Sequence, residues 1–241
     1  MRSRTTAAMA LLLGMTLSCS QDPRDLAERG DPEAQFDMGA AREEGLGGMA
    51  QDYTDAVGWY TRAAKQGHAR AQYRLGLLSA DGLGTQRDPE NAARWFRRAA
   101  DQGIAEAQLQ LGIQYDSGEG VPLDHAEAAR LFRLAADQGQ VDAQYNLGLL
   151  YAAGQGVPHD ETEATRWFRK AAEQDDIDAL FQLGLSYAEG LGVPRDLVQA
   201  LRWLDRASAF GNMAAARYLD RLAEQISEEE LAEARRLAHG R

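Results

Sequence analysis

The residues of this chain with the widest chemical repertoire are four histidines, His68, His125, His159 and His239, and one cysteine, Cys19. A zinc centre needs three or four convergent ligands, and a helical ligand pair needs histidines at i and i+4. No two of these histidines stand four apart and each falls at a different phase of the repeating text described below, so no metal site is expected. Nucleophilic catalysis has no anchor either, because neither a G-x-S-x-G elbow nor an S-x-x-K pair occurs. Five glycine pairs, Gly45/Gly47, Gly82/Gly84, Gly118/Gly120, Gly154/Gly156 and Gly190/Gly192, have the look of phosphate loops. A dinucleotide loop follows a strand and opens a helix, whereas these pairs close a helical stretch and recur in every repeat. They read as structural turns, and no cofactor is expected.

The elements that position these residues form a repeat. Trp59, Trp95, Trp167 and Trp203 fall on a 36-residue ladder, with Leu131 at the missing rung. The surrounding text is AVGWYTRAA, AARWFRRAA, AARLFRLAA, ATRWFRKAA and ALRWLDRAS. A second stretch, A-x-A-Q-x-x-L-G, appears as ARAQYRLG, AEAQLQLG, VDAQYNLG and IDALFQLG, with PEAQFDMG as a degenerate first copy. Alanines three and four apart around an aromatic residue make an apolar helical stripe, so both stretches read as helices and the indoles as core. Gly76, Gly112, Gly148 and Gly184 stand inside the first helix, where each costs about 1 kcal/mol against alanine. Such a recurring cost points to a close helix crossing. Each glycine pair ends the first helix, one member in a left-handed C′ position. Pro122, Pro158 and Pro194 block its continuation, and Asp52, Asp88, Asp124, Asp160 and Asp196 sit just ahead of the second helix as N-cap or first-turn acids.

One helix pair of this length cannot bury its apolar face alone, so the pairs must stack. The expected fold is all-α, a right-handed α-solenoid of antiparallel helix pairs. Five units are expected at 31–67, 68–103, 104–139, 140–175 and 176–211, with capping helices over 212–241. Ser227 and Glu230 make a capping box for the last helix, and that closed end favours a monomer.

Charge narrows the partners. The formal net charge is −11 and the pI about 4.9, the wrong sign for nucleic acid. With one cysteine no intrachain disulfide forms. Arg2 and Arg4 followed by the apolar run 7–17 read as an export signal over 1–18, too short for a permanent span. Residues 19–30 are expected as a linker. TLSC at 16–19 resembles a bacterial lipobox, with Thr16 where leucine is usual; it implies lipidation of Cys19 and an outer-membrane anchor facing the periplasm. Ordinary cleavage before Gln21, giving a soluble periplasmic or secreted protein, is the alternative.

The repeated text resembles the Sel1-like repeat family, relatives of the tetratricopeptide arrays. The carrying residues are A-x-A-Q-x-x-L-G-x-x-Y, with Tyr115, Tyr151 and Tyr187, then G-x-G-V-P and A-x-x-W-F-x-x-A-A. Departures are Met38, Gly39 and Arg42 in unit one, Ser79 for tyrosine, Leu131 for tryptophan, and Asp175 where a glycine ends the other units. The resemblance implies a non-catalytic scaffold that binds protein partners in the cell envelope. A structural envelope-assembly role is an alternative. A cysteine-rich branch implies β-lactam binding or hydrolysis, and this chain lacks the paired cysteines of that branch.

One set of positions escapes the shared pattern. These are Arg70, Arg74 and Leu78; Glu106, Gln110 and Gln114; Asp142, Asn146 and Leu150; and Asp178, Gln182 and Ser186. Spacing of four puts each trio on one face of its first helix; the resemblance implies that first helices line the concave wall, so the stripe is the expected partner groove, basic in unit two and acidic or amide-bearing beyond. An ordinary solvated face shows the same variability.

Overall fold

The computed structural model describes residues 22–224 together with 227, 229, 232 and 236. The export signal, Cys19, His239 and Glu230, on which the Ser227 capping box depends, lie outside the described residues. Among the described residues there are twelve helices and no strand. A short helix, α1 (Pro23–Glu28), precedes five pairs: α2 (Pro32–Glu44) with α3 (Tyr53–Lys65), α4 (Ala69–Asp81) with α5 (Pro89–Asp101), α6 (Ala105–Ser117) with α7 (His125–Asp137), α8 (Val141–Ala153) with α9 (Glu161–Ala172), and α10 (Ile177–Glu189) with α11 (Leu197–Ala209). α12 (Met213–Ala223) follows. Each helix packs on the next in chain order, which is the one-dimensional connectivity of a solenoid.

Every second helix starts at an aspartate. Asp52, Asp88, Asp124, Asp160 and Asp196 each accept a backbone N–H of the first turn at 2.9–3.0 Å. The first helices use varied caps. His68 Nδ1 accepts the Ala71 N–H at 3.1 Å, so its proton sits on Nε2, which donates to Glu33 at 2.9 Å. That histidine is a helix cap. First helices end on glycines in the left-handed region, as at Gly154 with φ 67°. Asp175 adopts the same region, φ 67°, and so keeps the turn that glycine makes in the other units.

The mid-helix glycines serve close crossing. A β-carbon at Gly148 would lie 2.6 Å from the Phe168 ring; Gly112 and Phe132 repeat that geometry, and Gly184 does so with Leu204. The side chain in the way belongs to the residue after the tryptophan. The second glycine of each pair governs a different contact. A β-carbon at Gly84, Gly120, Gly156 or Gly192 would overlap the backbone carbonyl of Tyr53, Pro89, His125 or Glu161, at the start of the preceding unit's second helix. These glycines therefore set the spacing between units.

The indoles lie between layers. Trp59, Trp167 and Trp203 are buried, as is Leu131 at the variant rung, while Trp95 is half-buried against the cluster of Phe36, Tyr60 and Leu75. Cationic side chains cover the rings: Arg62 lies 4.4 Å from the Trp59 centroid, Arg98 4.6 Å from Trp95, and Lys170 4.0 Å from Trp167.

The segment expected as a linker contains α1, a finding that redraws the start of the array. Asp22 caps it, Pro23 takes the first turn, and Ala27 is buried. The Ala27 carbonyl accepts Gln35 Nε2 at 3.0 Å, as the Ala64 carbonyl accepts Gln72 in the next unit. α1 thus stands where the second helix of a preceding unit would stand.

Candidate interaction groove

The first helices of units one to three line a cleft. Near the start of the array it has a volume of about 540 Å³ and is walled by Phe36, Asp37 and Glu44 of α2, Arg70, Tyr73 and Arg74 of α4, and Glu106 of α6. The side chains come from three units because each first helix turns the same face outward, which a 36-residue period enforces.

The stripe is narrower than expected. Arg70, Glu106, Asp142 and Asp178 are exposed, and Arg74, Gln110, Asn146 and Gln182 are half-buried. The third rung is buried: Leu78, Gln114, Leu150 and Ser186 point into the core. The correction follows from helix geometry. A step of four residues overshoots a full turn by about 40°, so two steps carry the third position about 80° off the face. There Gln114 Nε2 donates to the Pro89 carbonyl at 3.1 Å, and Ser186 donates to the Gln182 carbonyl at 3.0 Å while accepting from Thr165. Eight positions remain as groove wall.

The two ends of that wall differ electrically. Both arginines of unit two are already engaged. Arg74 pairs with Glu43, its Nε donating at 3.0 Å, and the Tyr60 hydroxyl donates to the same carboxylate at 2.7 Å. Burial and the Glu43 carboxylate together push the Tyr60 hydroxyl well above the ordinary tyrosine range. Arg70 lies 4.3 Å from the Phe36 ring centroid and 3.8 Å from Glu33. Glu106, Asp142 and Asp178 form no ion pair among the described residues, and Asp142 receives only a 3.3 Å bond from Gln140. Asp176, the cap of α10, has its carboxyl pushed up by burial and by the like charges of Asp178 and Asp142, against the bond from Ala179. The groove therefore presents net negative charge beyond unit two, and the expected basic end is internally neutralised.

Aromatic rungs, which the stripe did not include, border these acids. Tyr73 and Tyr145 are half-buried, and both hydroxyls are shifted up, first by burial and then by Glu106 for Tyr73 and Asp178 for Tyr145. The signal was present in the repeated text, where the residue after A-x-A-Q is Phe36, Tyr73, Leu109 and Tyr145 in turn. Among the described residues no three His, Cys, Asp or Glu side chains converge as a metal site would require, and no helix is long and apolar enough to cross a membrane.

A stack of helix pairs in which each helix packs on the next defines a class, the helical-repeat solenoids. Sel1 repeats match residues 32–68, 69–104, 105–140, 141–176 and 177–212, and the chain belongs to the Sel1 repeat family. A protective antigen of uropathogenic Escherichia coli with the same repeat fold is 33% identical with a TM-score of 0.83. The alignment covers 90% of this chain and 47% of that one, so this chain spans about half the length of that neighbour. A Sel1 repeat protein from Oxalobacter formigenes is 30% identical with a TM-score of 0.76, over 92% of this chain and 89% of that chain. Comparison with curated proteins gives no match. Proteins built of Sel1 repeats generally serve as protein-interaction scaffolds.

Proposed function

We propose that this chain is a non-catalytic scaffold of the bacterial cell envelope, exported, cleaved ahead of Cys19 and held by a lipid on that cysteine at the periplasmic face of the outer membrane. Its partners are proteins, and they enter the groove formed by the first helices. The observation that carries the reading is that three consecutive Sel1 repeats hold Glu106, Gln110, Asp142, Asn146, Asp178 and Gln182 exposed or half-buried at equivalent positions of their first helices. A repeat array offers an extended surface rather than an enclosed pocket, which suits docking of a polypeptide. The N-terminal text supports the anchor: a basic start, an apolar run and one cysteine in a small-residue context.

The reading is tested in cells with a photo-crosslinking residue at Gln110 or Gln182, followed by mass spectrometry of the adducts. Discrete protein adducts at these positions, and none at exposed Asp101 on the second-helix side, are expected. The same samples report the anchor, since Cys19→Ser abolishes fatty-acid incorporation and releases the chain from the membrane fraction. Adducts equally abundant at all three positions, or a membrane association indifferent to Cys19→Ser, would reject the groove or the anchor respectively.

A further inference from the structure

We propose that the pocket between α10 and α12, at the C-terminal end of the array, takes the carboxylate side chain of a glutamate or aspartate of the partner protein. The proposal rests on the scaffold reading above and adds one anchoring contact of the occupant.

The geometry of the pocket is the first argument. It has a volume of about 260 Å³ and is lined by Ala188 and Glu189 of α10, Arg195 of the loop that follows, and Tyr218, Arg221 and Leu222 of α12. Ala188 and Leu222 are the buried, apolar part of that lining. Arg195 is fixed through one nitrogen: its Nε donates to the Ala188 carbonyl at 2.9 Å, and its terminal nitrogens bond nothing among the described residues. Arg221 lies 4.8 Å from the Tyr218 ring centroid and has no hydrogen bond or ion pair among the described residues. Glu189 accepts the Tyr218 hydroxyl at 3.2 Å and pairs with neither guanidinium. Two cations therefore share a small pocket with one carboxylate that is already held, and the unmet charge is positive. Guanidinium groups with open N–H donors take a carboxylate through parallel, charge-assisted hydrogen bonds.

The repeat supplies an internal precedent. Arg87 holds in unit two the loop place that Arg195 holds in unit five. Its guanidinium pairs with Glu119, a carboxylate of the following unit that lies 32 residues on. At the same remove from Arg195 stands the uncharged Ser227. Arg195 thus keeps the cation of the loop without the acid of a following unit. Arg221 departs from the repeat in another way. Its column reads Leu77, Ile113, Leu149 and Leu185 in the preceding first helices, so packing does not ask for a charge there. Tyr218 continues the column of Gln110, Asn146 and Gln182, which sets the pocket at the end of the docking wall.

Size selects the occupant. Sites for drug-sized ligands hold about 300–1,000 Å³. This pocket is smaller and suits a single side chain. The pairing of Arg87 with Glu119 names the kind, an acidic side chain of a polypeptide. The chain's own tail is the competing source, because Glu228, Glu229 and Glu230 follow α12 closely. Glu229 forms no ion pair with Arg195 or Arg221, which favours a residue from outside the chain.

The test titrates the isotope-labelled full chain with an end-blocked peptide, Gly-Ser-Glu-Ser-Gly, beside its glutamine counterpart and inorganic phosphate. The glutamate peptide is expected to move the backbone amide resonances of Tyr218 and Leu222, and the glutamine peptide to leave them in place. Arg195→Gln with Arg221→Gln is expected to weaken binding at least about tenfold. A control pair, Arg29→Gln with Arg94→Gln, makes the same change in net charge at exposed positions of α5 and the end of α1, and should leave binding as it is. Circular dichroism reports the folding of both pairs. Should the first pair fail to fold, Arg221→Gln alone serves, since it removes only a ring contact, and unchanged binding by that variant overturns the proposal. Equal weakening by the two pairs overturns it, as does an equal response to the glutamine peptide or tighter binding of phosphate. A response that appears only after Glu228→Gln with Glu230→Gln assigns the pocket to the chain's own tail and overturns it too. In cells, crosslinking from Gln182 should fall about tenfold when the arginine pair is replaced. Crosslinks that persist unchanged overturn the proposal and leave the scaffold reading intact, whereas absence of any groove crosslink removes the scaffold reading itself.

Discussion

The junction between units one and two is held by different chemistry from the three that follow. In the later junctions an arginine of the second helix, Arg97, Arg133 or Arg169, donates to the hydroxyl of Tyr115, Tyr151 or Tyr187 on the next unit's first helix. The same guanidinium lies 5.5–5.8 Å from that ring's centroid. At the first junction the two positions are Thr61 and Ser79, and Ser79 instead accepts from Asn91. The polar tie there has moved to Glu43, which receives Tyr60 from its own unit and Arg74 from the next. In the later units the Tyr60 position is Phe96, Phe132, Phe168 or Leu204. The difference teaches that a junction requires a matched polar pair, not a particular residue. Arginine and tyrosine appear together or are lost together, and a half-buried tyrosine without its arginine would leave a hydroxyl without its partner.

The sharpest way to break the comparison lies in the glycines. Gly47 and Gly156 occupy the same place in their units, with φ of 64° and 69°. A β-carbon at Gly156 overlaps the His125 carbonyl, whereas at Gly47 the nearest atom, in the Met49 side chain, is 3.8 Å away. Alanine at either site carries a left-handed penalty of about 1–2 kcal/mol. Gly156→Ala adds overpacking of about 1–3 kcal/mol. Urea unfolding should therefore show Gly156→Ala losing about 2–5 kcal/mol in total and Gly47→Ala only the smaller part. Equal losses would mean that the second glycine serves its own turn and not the spacing between units.

A middle-sized effect is expected from making an interior junction resemble the first. Arg133→Thr and Tyr151→Ser install the residues found at positions 61 and 79. A hydrogen bond from a charged donor and a cation–π contact end together, so the two substitutions should couple by about 1–2 kcal/mol in a double-mutant cycle. The double variant loses less than the sum of the singles. The corresponding cycle of Thr61→Ala with Ser79→Ala should show no coupling. Additive losses at 133 and 151 would mean that the short contact between them is incidental.

Much of this arrangement was legible in the repeat. The helix pairs, the aspartate caps at 52, 88, 124, 160 and 196, and the close crossing at Gly148 all follow from local text read against a period. What escaped were relations between columns. Gln66, Gln102, Gln138 and Gln174 donate to Gln35, Gln72, Gln108 and Gln144 of the same units at 2.7–2.9 Å. Unit five replaces both members at once, with Leu180 and Phe210. That paired switch is visible in the letters, yet only proximity gives it meaning, because the partners stand about thirty residues apart. The buried third rung escaped because the four-residue step ignores the helix's slow rotation. α1 escaped because half of a repeat, DLAERG, carries too few residues to display a period. The groove acids were legible as residues, but their lack of partners is a fact of three dimensions.

The smallest expected effect isolates the tie peculiar to the first junction. Tyr60 is buried, and its hydroxyl is raised first by that burial and then by its bond to Glu43 and the charge of that carboxylate, with Arg74 opposing. An unfolded chain releases this proton near the ordinary value of about 10, while the folded chain retains it. Above that pH the folded state binds more protons, so stability falls as pH rises, by at most about 1.4 kcal/mol per pH unit for one group. At neutral pH both states hold the proton and the shift contributes nothing. Tyr60→Phe installs the residue that units two to four carry, retains the ring, and leaves Glu43 with Arg74 alone. It should cost about 0.5–1 kcal/mol at pH 7, the net worth of one hydrogen bond. Between pH 10 and 11 the variant should overtake the parent chain, its alkaline slope reduced by the share of one proton. The slope does not vanish, because Tyr73, Tyr145 and Tyr218 are shifted in the same direction. Urea midpoints across that pH range decide the matter, and an unchanged slope would show that Tyr60 ionises as freely in the folded chain as out of it.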